Sequence, residues 1–115
     1  METIIIEGLE VWPEDLGKMT WQEAMDTTAN LGSGWRIPTI QEFKEILYPN
    51  RDNLGFNRWF YWSSTEYNTT YAYAFLIIKD SSCYDTPWLK EKVYSVRAVR
   101  DFTSGVAIEY LLKDF

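Results

Sequence analysis

The chain has 115 residues, 46% hydrophobic and 17% aromatic, with a formal charge of −6. That length sustains one core and one domain. The acidic balance excludes nucleic acid and anionic membrane surfaces as principal partners, because both are repelled at long range.

The chain opens on METIIIEGLEVW. It carries acid where a signal peptide carries positive charge, and no later run approaches the ~20 apolar residues of a membrane span. The expectation is no membrane insertion, and a chain that stays where it is made, cytoplasmic as it stands unless a leader has been removed. Residues 3–12 read as one strand, with β-branched Ile4, Ile5 and Ile6 and a bulge at Gly8. Residues 13–19 form a polar connector.

Thr20 with Glu23 three residues on is a capping box, so a helix starts there. Trp21, Ala24, Met25, Thr28 and Ala29 then share one face, and the glycines of 30–34 close it. Thr39 and Glu42 repeat the device, with Ile40, Phe43, Ile46 and Leu47 as the buried stripe. Tyr48-Pro49-Asn50 ends this second helix. Residues 49–60 read as a loop. Tyr61–Tyr67 and Tyr71–Ile78 flank Asn68-Thr69-Thr70 as a hairpin. Residues 79–92 read as another loop. Val93–Arg100, apolar on both faces apart from its arginines, reads as a central strand. Periodicity leaves Gly105–Leu112 open between a strand and a helical turn.

Four blocks stand in order along this chain. They are Thr20-Trp21 with Glu23-Ala24; Trp35-Arg36 with Pro38-Thr39 and Glu42; Tyr61-Trp62-Ser63-Ser64-Thr65; and Val96-Arg97 with Val99-Arg100. Together they resemble the DUF1566 family, the domain also found at the C-terminus of the Legionella collagen-like adhesin, over residues 9–102. The resemblance implies an α+β, C-type lectin-like fold related to the sulfatase-modifying domains. In it, two helices pack on a twisted, mostly antiparallel sheet, with the N- and C-terminal strands adjacent. Two positions depart from the family pattern: Gly34 stands where an aspartate usually precedes the Trp-Arg pair, and Ala98 replaces a cysteine.

The motif residues Trp21, Trp35, Arg36, Trp62, Arg97 and Arg100 are expected to hold the fold. Arg36 should stack on a ring and bond buried carbonyls or a carboxylate, pinning the helix corner. Arg97 and Arg100 lie three apart on a strand, so they point to opposite faces, each toward a carboxylate such as Glu42 or Asp101. The hydroxyls of Ser63, Ser64 and Thr65 have no histidine to activate them. Cys83 has no partner for the paired-cysteine chemistry of formylglycine generation. Asn50, Asp52, Asp80, Asp85 and Glu91 offer oxygens for calcium, but the sequence carries no calcium motif, and a solvated acidic surface is the better reading. The expected cofactor list is empty.

The loop aromatics Phe56, Trp59, Phe60, Tyr67, Tyr71, Tyr84 and Trp88 read two ways. They form a contact surface, or they fold back as a lid on the core. Taken as a surface, Phe56, Trp59, Tyr67, Tyr84 and Trp88 are the candidate ligand-binding residues. The expected function is then a non-catalytic module that recognises a protein or a glycan through the segments at 50–60 and 79–92. The alternative is an assembly subunit that dimerises through the apolar tail Val106–Leu112.

Overall fold

The computed structural model describes residues 2–57, 59–78 and 83–102, with side chains at 83–85 set aside. The tail at 103–115, and with it the expected assembly segment, lies outside the described residues, as does Asp80.

The stretch 3–12 is a hairpin and not one strand. β1 (Ile4–Ile6) and β2 (Leu9–Val11) pair antiparallel around Glu7-Gly8. Both turn residues have positive φ, 47° and 84°, the conformation of a two-residue turn that matches strand twist. Gly8 therefore makes the turn where a bulge was expected. The connector runs on into a short strand, β3 (Lys18–Met19), just before the first helix.

Helix α1 (Trp21–Asn30) starts at the Thr20 capping box, both halves of which form. The second helix begins the same way at Thr39, but only one turn, α2 (Ile40–Glu42), is α-helical. It widens into a π turn over Phe43–Leu47, which the Tyr48 amide closes by donating to the Phe43 carbonyl at 2.8 Å. Phe43 and Leu47 are both fully buried by it. The expected loop 49–60 contains a short helix, α3 (Arg51–Leu54), ended by Gly55 in the left-handed conformation at φ 69°.

The remaining strands are β4 (Trp59–Glu66), β5 (Tyr71–Ile77), β6 (Cys83–Leu89), β7 (Tyr94–Ser95) and β8 (Val99–Asp101). They form two sheets instead of one: a small sheet in the order β1-β2-β8 and a larger one in the order β3-β7-β4-β5-β6. Half of the expected loop 79–92 is thus the edge strand β6, where Pro87 is tolerated because an edge leaves one side unbonded. The N- and C-terminal strands are adjacent, as Val11 opposite Val99 shows. Val93–Arg100 is divided between the two sheets. At the crossing the connector supplies its bonds: Val96 exchanges main-chain hydrogen bonds with Leu16 and Gly17, and the Trp12 amide donates to Ala98.

Alternation along β4 sends neighbouring side chains to opposite faces. Trp62 joins Trp21, Ala24, Ile37, Ala72, Ala74 and Val96 under α1. Tyr61 joins Phe43, Leu47, Leu54, Phe75 and Ile77 with Leu9, Val11 and Val99 of the small sheet. The rings of Phe43 and Phe75 stack at 5.2 Å and 10°. The large sheet is therefore covered on both faces, one by each helix.

Candidate recognition surface

The motif residues turn inward and tie segments together. The indole of Trp21 donates to the Ser63 carbonyl and that of Trp62 to the Met19 carbonyl, both at 2.9 Å. Arg36 and Glu42 form two parallel hydrogen bonds of 2.7 Å, and Arg36 also reaches Asp101 at 2.9 Å. The fork with Glu42 holds the Arg36 guanidinium further into its charged form. Burial pushes the Glu42 carboxyl up, but the Arg36 fork and the Thr39 amide outweigh it, so the net shift is down.

The strand arginines have other partners than those expected. Arg100 bonds Glu10 at 2.7 Å and lies over the Trp35 ring at 4.5 Å. Trp35 in turn meets Trp12 edge-on at 4.9 Å. Arg97, 1% exposed, bonds Asp15 at 2.9 Å and the Leu54 carbonyl at 2.7 Å. The Tyr61 hydroxyl donates to the same Asp15 at 2.8 Å. Burial first, then Asp15, pushes the Tyr61 phenol far above its ordinary value. Glu42 and Asp101 are engaged by Arg36 and so are not the partners of either strand arginine.

The hydroxyls of Ser63 and Thr65 in the third block are committed to main chain. Ser63 donates to the Tyr73 carbonyl at 2.6 Å, and Thr65 accepts the Ile40 amide at 3.0 Å. Among the described residues no three carboxylate or thiol groups gather as a metal site. Asn50 spends its amide on the Ile46 carbonyl at 2.7 Å.

The candidate aromatics divide. Phe56 folds inward, edge-on to Tyr61 at 4.9 Å and beneath the Arg97 guanidinium at 4.5 Å. Trp88 is half-buried, with its ring 4.7 Å from Phe60 and its indole nitrogen without a hydrogen-bond partner among the described residues. Trp59 is 61% exposed and Tyr67 57%. They stand apart, Trp59 at the start of β4 and Tyr67 beyond its end. The Tyr84 side chain is outside what is described; its backbone lies in β6 opposite Leu76.

Trp59 belongs to a groove. β4 and β7 run parallel and share a single pair, Tyr61 with Ser95. The opening, of about 240 Å³, is lined by Lys18, Trp59, Phe60, Val93, Tyr94 and Ser95. Its floor is a run of rings: Phe60 and Tyr94 at 4.7 Å, with Trp62 4.9 Å beyond Tyr94. Burial holds the Tyr94 phenol above its ordinary value, so it is neutral at physiological pH. Val93 is 54% exposed. Trp59 has φ 86°, a strained conformation for a bulky side chain. A second hollow lies by the β4–β5 turn, lined by Thr69, Thr70, Leu89, Lys90 and Glu91.

The sequence model of the Lcl C-terminal domain matches residues 7–100. The chain belongs to this family. A search of the curated proteins returns no match. Among solved structures, the chain is similar to EMS16, an antagonist of the collagen receptor integrin α2β1. The two are 11% identical with a TM-score of 0.66, over 87% of this chain and 97% of that one. At that identity the likeness shows the fold, which is C-type lectin-like.

Two features of this Lcl C-terminal domain escape the sequence. Asp15 sits in a connector that looks merely polar, and only a buried arginine in need of a carboxylate signals it. Lys18, Val93, Tyr94 and Ser95 flank the groove from segments remote from Trp59.

Proposed function

We propose that this domain is a non-catalytic recognition module that binds a protein or a glycan through the groove between β4 and β7. The observation that carries it is Trp59, mostly exposed and held in a strained conformation at the rim of a floor made by Phe60 and Tyr94. An aromatic residue left in water gains nothing for the fold, whereas rigid rings in a groove give large contact area at low entropy cost. The likeness to EMS16, an antagonist of a receptor, supports protein recognition on this scaffold. A non-catalytic role is supported by the hydroxyls already spent on main chain and by a sequence without histidine. A homodimer through the tail remains the alternative partner arrangement.

The test is an array of neutral and sulfated glycans, alongside immobilised extracellular proteins, probed with the wild type and Trp59→Ala. Binding that falls at least tenfold in the variant is the expected result. Binding confined to sulfated ligands, or indifferent to Trp59, would contradict the proposal.

A further inference from the structure

The groove distinguishes between the two ligand classes just named. We infer that it receives a short polypeptide segment, with an apolar or aromatic side chain on the Phe60–Tyr94 floor and a neighbouring carboxylate at Lys18. This rests on the recognition reading above and narrows it.

Size comes first. About 240 Å³ is below the ~300–1,000 Å³ of pockets that enclose drug-sized ligands, and suits one or two side chains. Polar inventory comes second. A sugar ring carries several hydroxyls, and each one desolvated without a partner weakens binding. The side chains of the groove offer it one ammonium, Lys18, the hydroxyls of Ser95 and Tyr94, and the indole N–H of Trp59. Sugar sites need planar amides or carboxylates for paired hydroxyls, and the lining has neither. A peptide side chain asks much less.

Charge comes third. The chain as a whole is acidic, yet the charged group in the lining is a cation. Lys18 and Lys92, the latter next to Val93, are both exposed and have no carboxylate partner among the described residues. By contrast Lys90 is held by Glu66 and lies over the Trp21 ring. Glu91 lines the other hollow. A single acidic residue beside an apolar anchor is complementary to this arrangement, whereas a polyanion is repelled by the rest of the surface.

The experiment pans a displayed library of random peptides on the full chain, then measures synthetic copies of the enriched peptides by titration calorimetry. The expected enrichment is leucine, proline or an aromatic residue next to aspartate or glutamate. Trp59→Ala should weaken such a peptide at least tenfold and Lys18→Glu about fivefold, while Lys18→Arg keeps most of the affinity. Circular dichroism checks that each variant stays folded. No enrichment, enrichment of basic peptides, or equal binding to Trp59→Ala overturns the inference. So does a doubling of solution mass that Trp59→Ala abolishes, because the occupant is then a second copy of this chain. Trp59-dependent binding of a neutral glycan without peptide enrichment overturns the polypeptide assignment and leaves the recognition reading standing. Silence in both arms removes both.

Discussion

The guanidinium of Arg97 donates to the carboxylate of Asp15 at 2.9 Å, across 82 positions of sequence. Its other nitrogens cap the carbonyls of Leu54, Trp12 and Gly55, at 2.7, 3.3 and 3.2 Å. One side chain thus joins the connector, the end of α3 and the crossing between the two sheets. Removing it takes one donor from each of three carbonyls and leaves the Asp15 carboxylate with neutral donors alone, the Tyr61 hydroxyl and the Asn57 amide. Arg97→Ala should cost about 3–5 kcal/mol, since breaking a buried pair strands the other charge. Arg97→Lys keeps the charge and loses the fork, and should cost about 1–3 kcal/mol. Urea unfolding followed by tryptophan fluorescence measures both. Costs below about 1 kcal/mol for Arg97→Ala would show that the network is not a tie.

Acid should loosen the fold through Glu42 and Glu10. Both carboxyls lie below their ordinary value in the folded chain. In Glu42 burial opposes the shift, and the Arg36 fork and Thr39 outweigh it; in Glu10 hydrogen bonds from Arg100 and Thr3 dominate. For a depressed carboxylate the stabilisation is fully present above the unfolded value of about 4.3 and is lost as pH falls through the folded value. Stability should therefore be flat from neutral pH to about 5 and fall below about 4. Glu42→Gln should lower stability at pH 7 and flatten the acid limb. An unchanged acid limb would exclude Glu42 as its source.

Local chemistry was legible where it acts alone. Both capping boxes form at Thr20 and Thr39, because each needs only residues three apart. The β4–β5 hairpin follows from alternation and an Asn68 turn, whose side chain accepts the Thr70 and Tyr71 amides. What escaped depends on partners far along the chain. Nothing in Val93–Arg100 announces that its middle is bonded by the connector instead of by a strand. The Glu7-Gly8 turn was hidden because one glycine among apolar residues serves a bulge or a turn equally well. Phe56 and Trp59 look alike in sequence. Arg97, Tyr61 and Phe43 draw the first inward, while the second is left at the rim.

Thr39, Glu42 and Arg36 should behave as one unit. Glu42 accepts the Thr39 amide at 2.9 Å and both Arg36 bonds, and its own amide donates to the Thr39 hydroxyl at 3.1 Å. Thr39→Ala alone removes a cap and should cost about 1 kcal/mol. Arg36→Met alone frees Glu42 and should cost about 1–2 kcal/mol, modest because a third of the Arg36 side chain faces water. The two losses share Glu42, so the double variant should depart from additivity by at least ~0.5 kcal/mol. The matching cycle of Thr20→Ala with Arg36→Met should be additive, since Thr20 caps the other helix. Additivity in both cycles would mean that the cap and the ion pair act independently.

Trp59 links stability to recognition in opposite directions. Its φ of 86° is open to glycine and costs any side chain with a Cβ about 1–3 kcal/mol. The ring is mostly exposed, so little burial is forfeited when it is removed. Alanine keeps the strained Cβ, while glycine releases it. Trp59→Gly should therefore be more stable than Trp59→Ala by about 1 kcal/mol, the reverse of the usual order within a strand. Its stability should equal or exceed that of the wild type. Both variants lose the rim of the groove, and both should lose ligand binding to the same degree. Thermal unfolding orders the three proteins, and calorimetric titration with an enriched peptide reads the affinity. If glycine proves less stable than alanine, residue 59 is not held in the left-handed region, and strain ceases to be an argument for function at this position. If glycine is more stable and still binds, the ring is not the contact that the ligand uses.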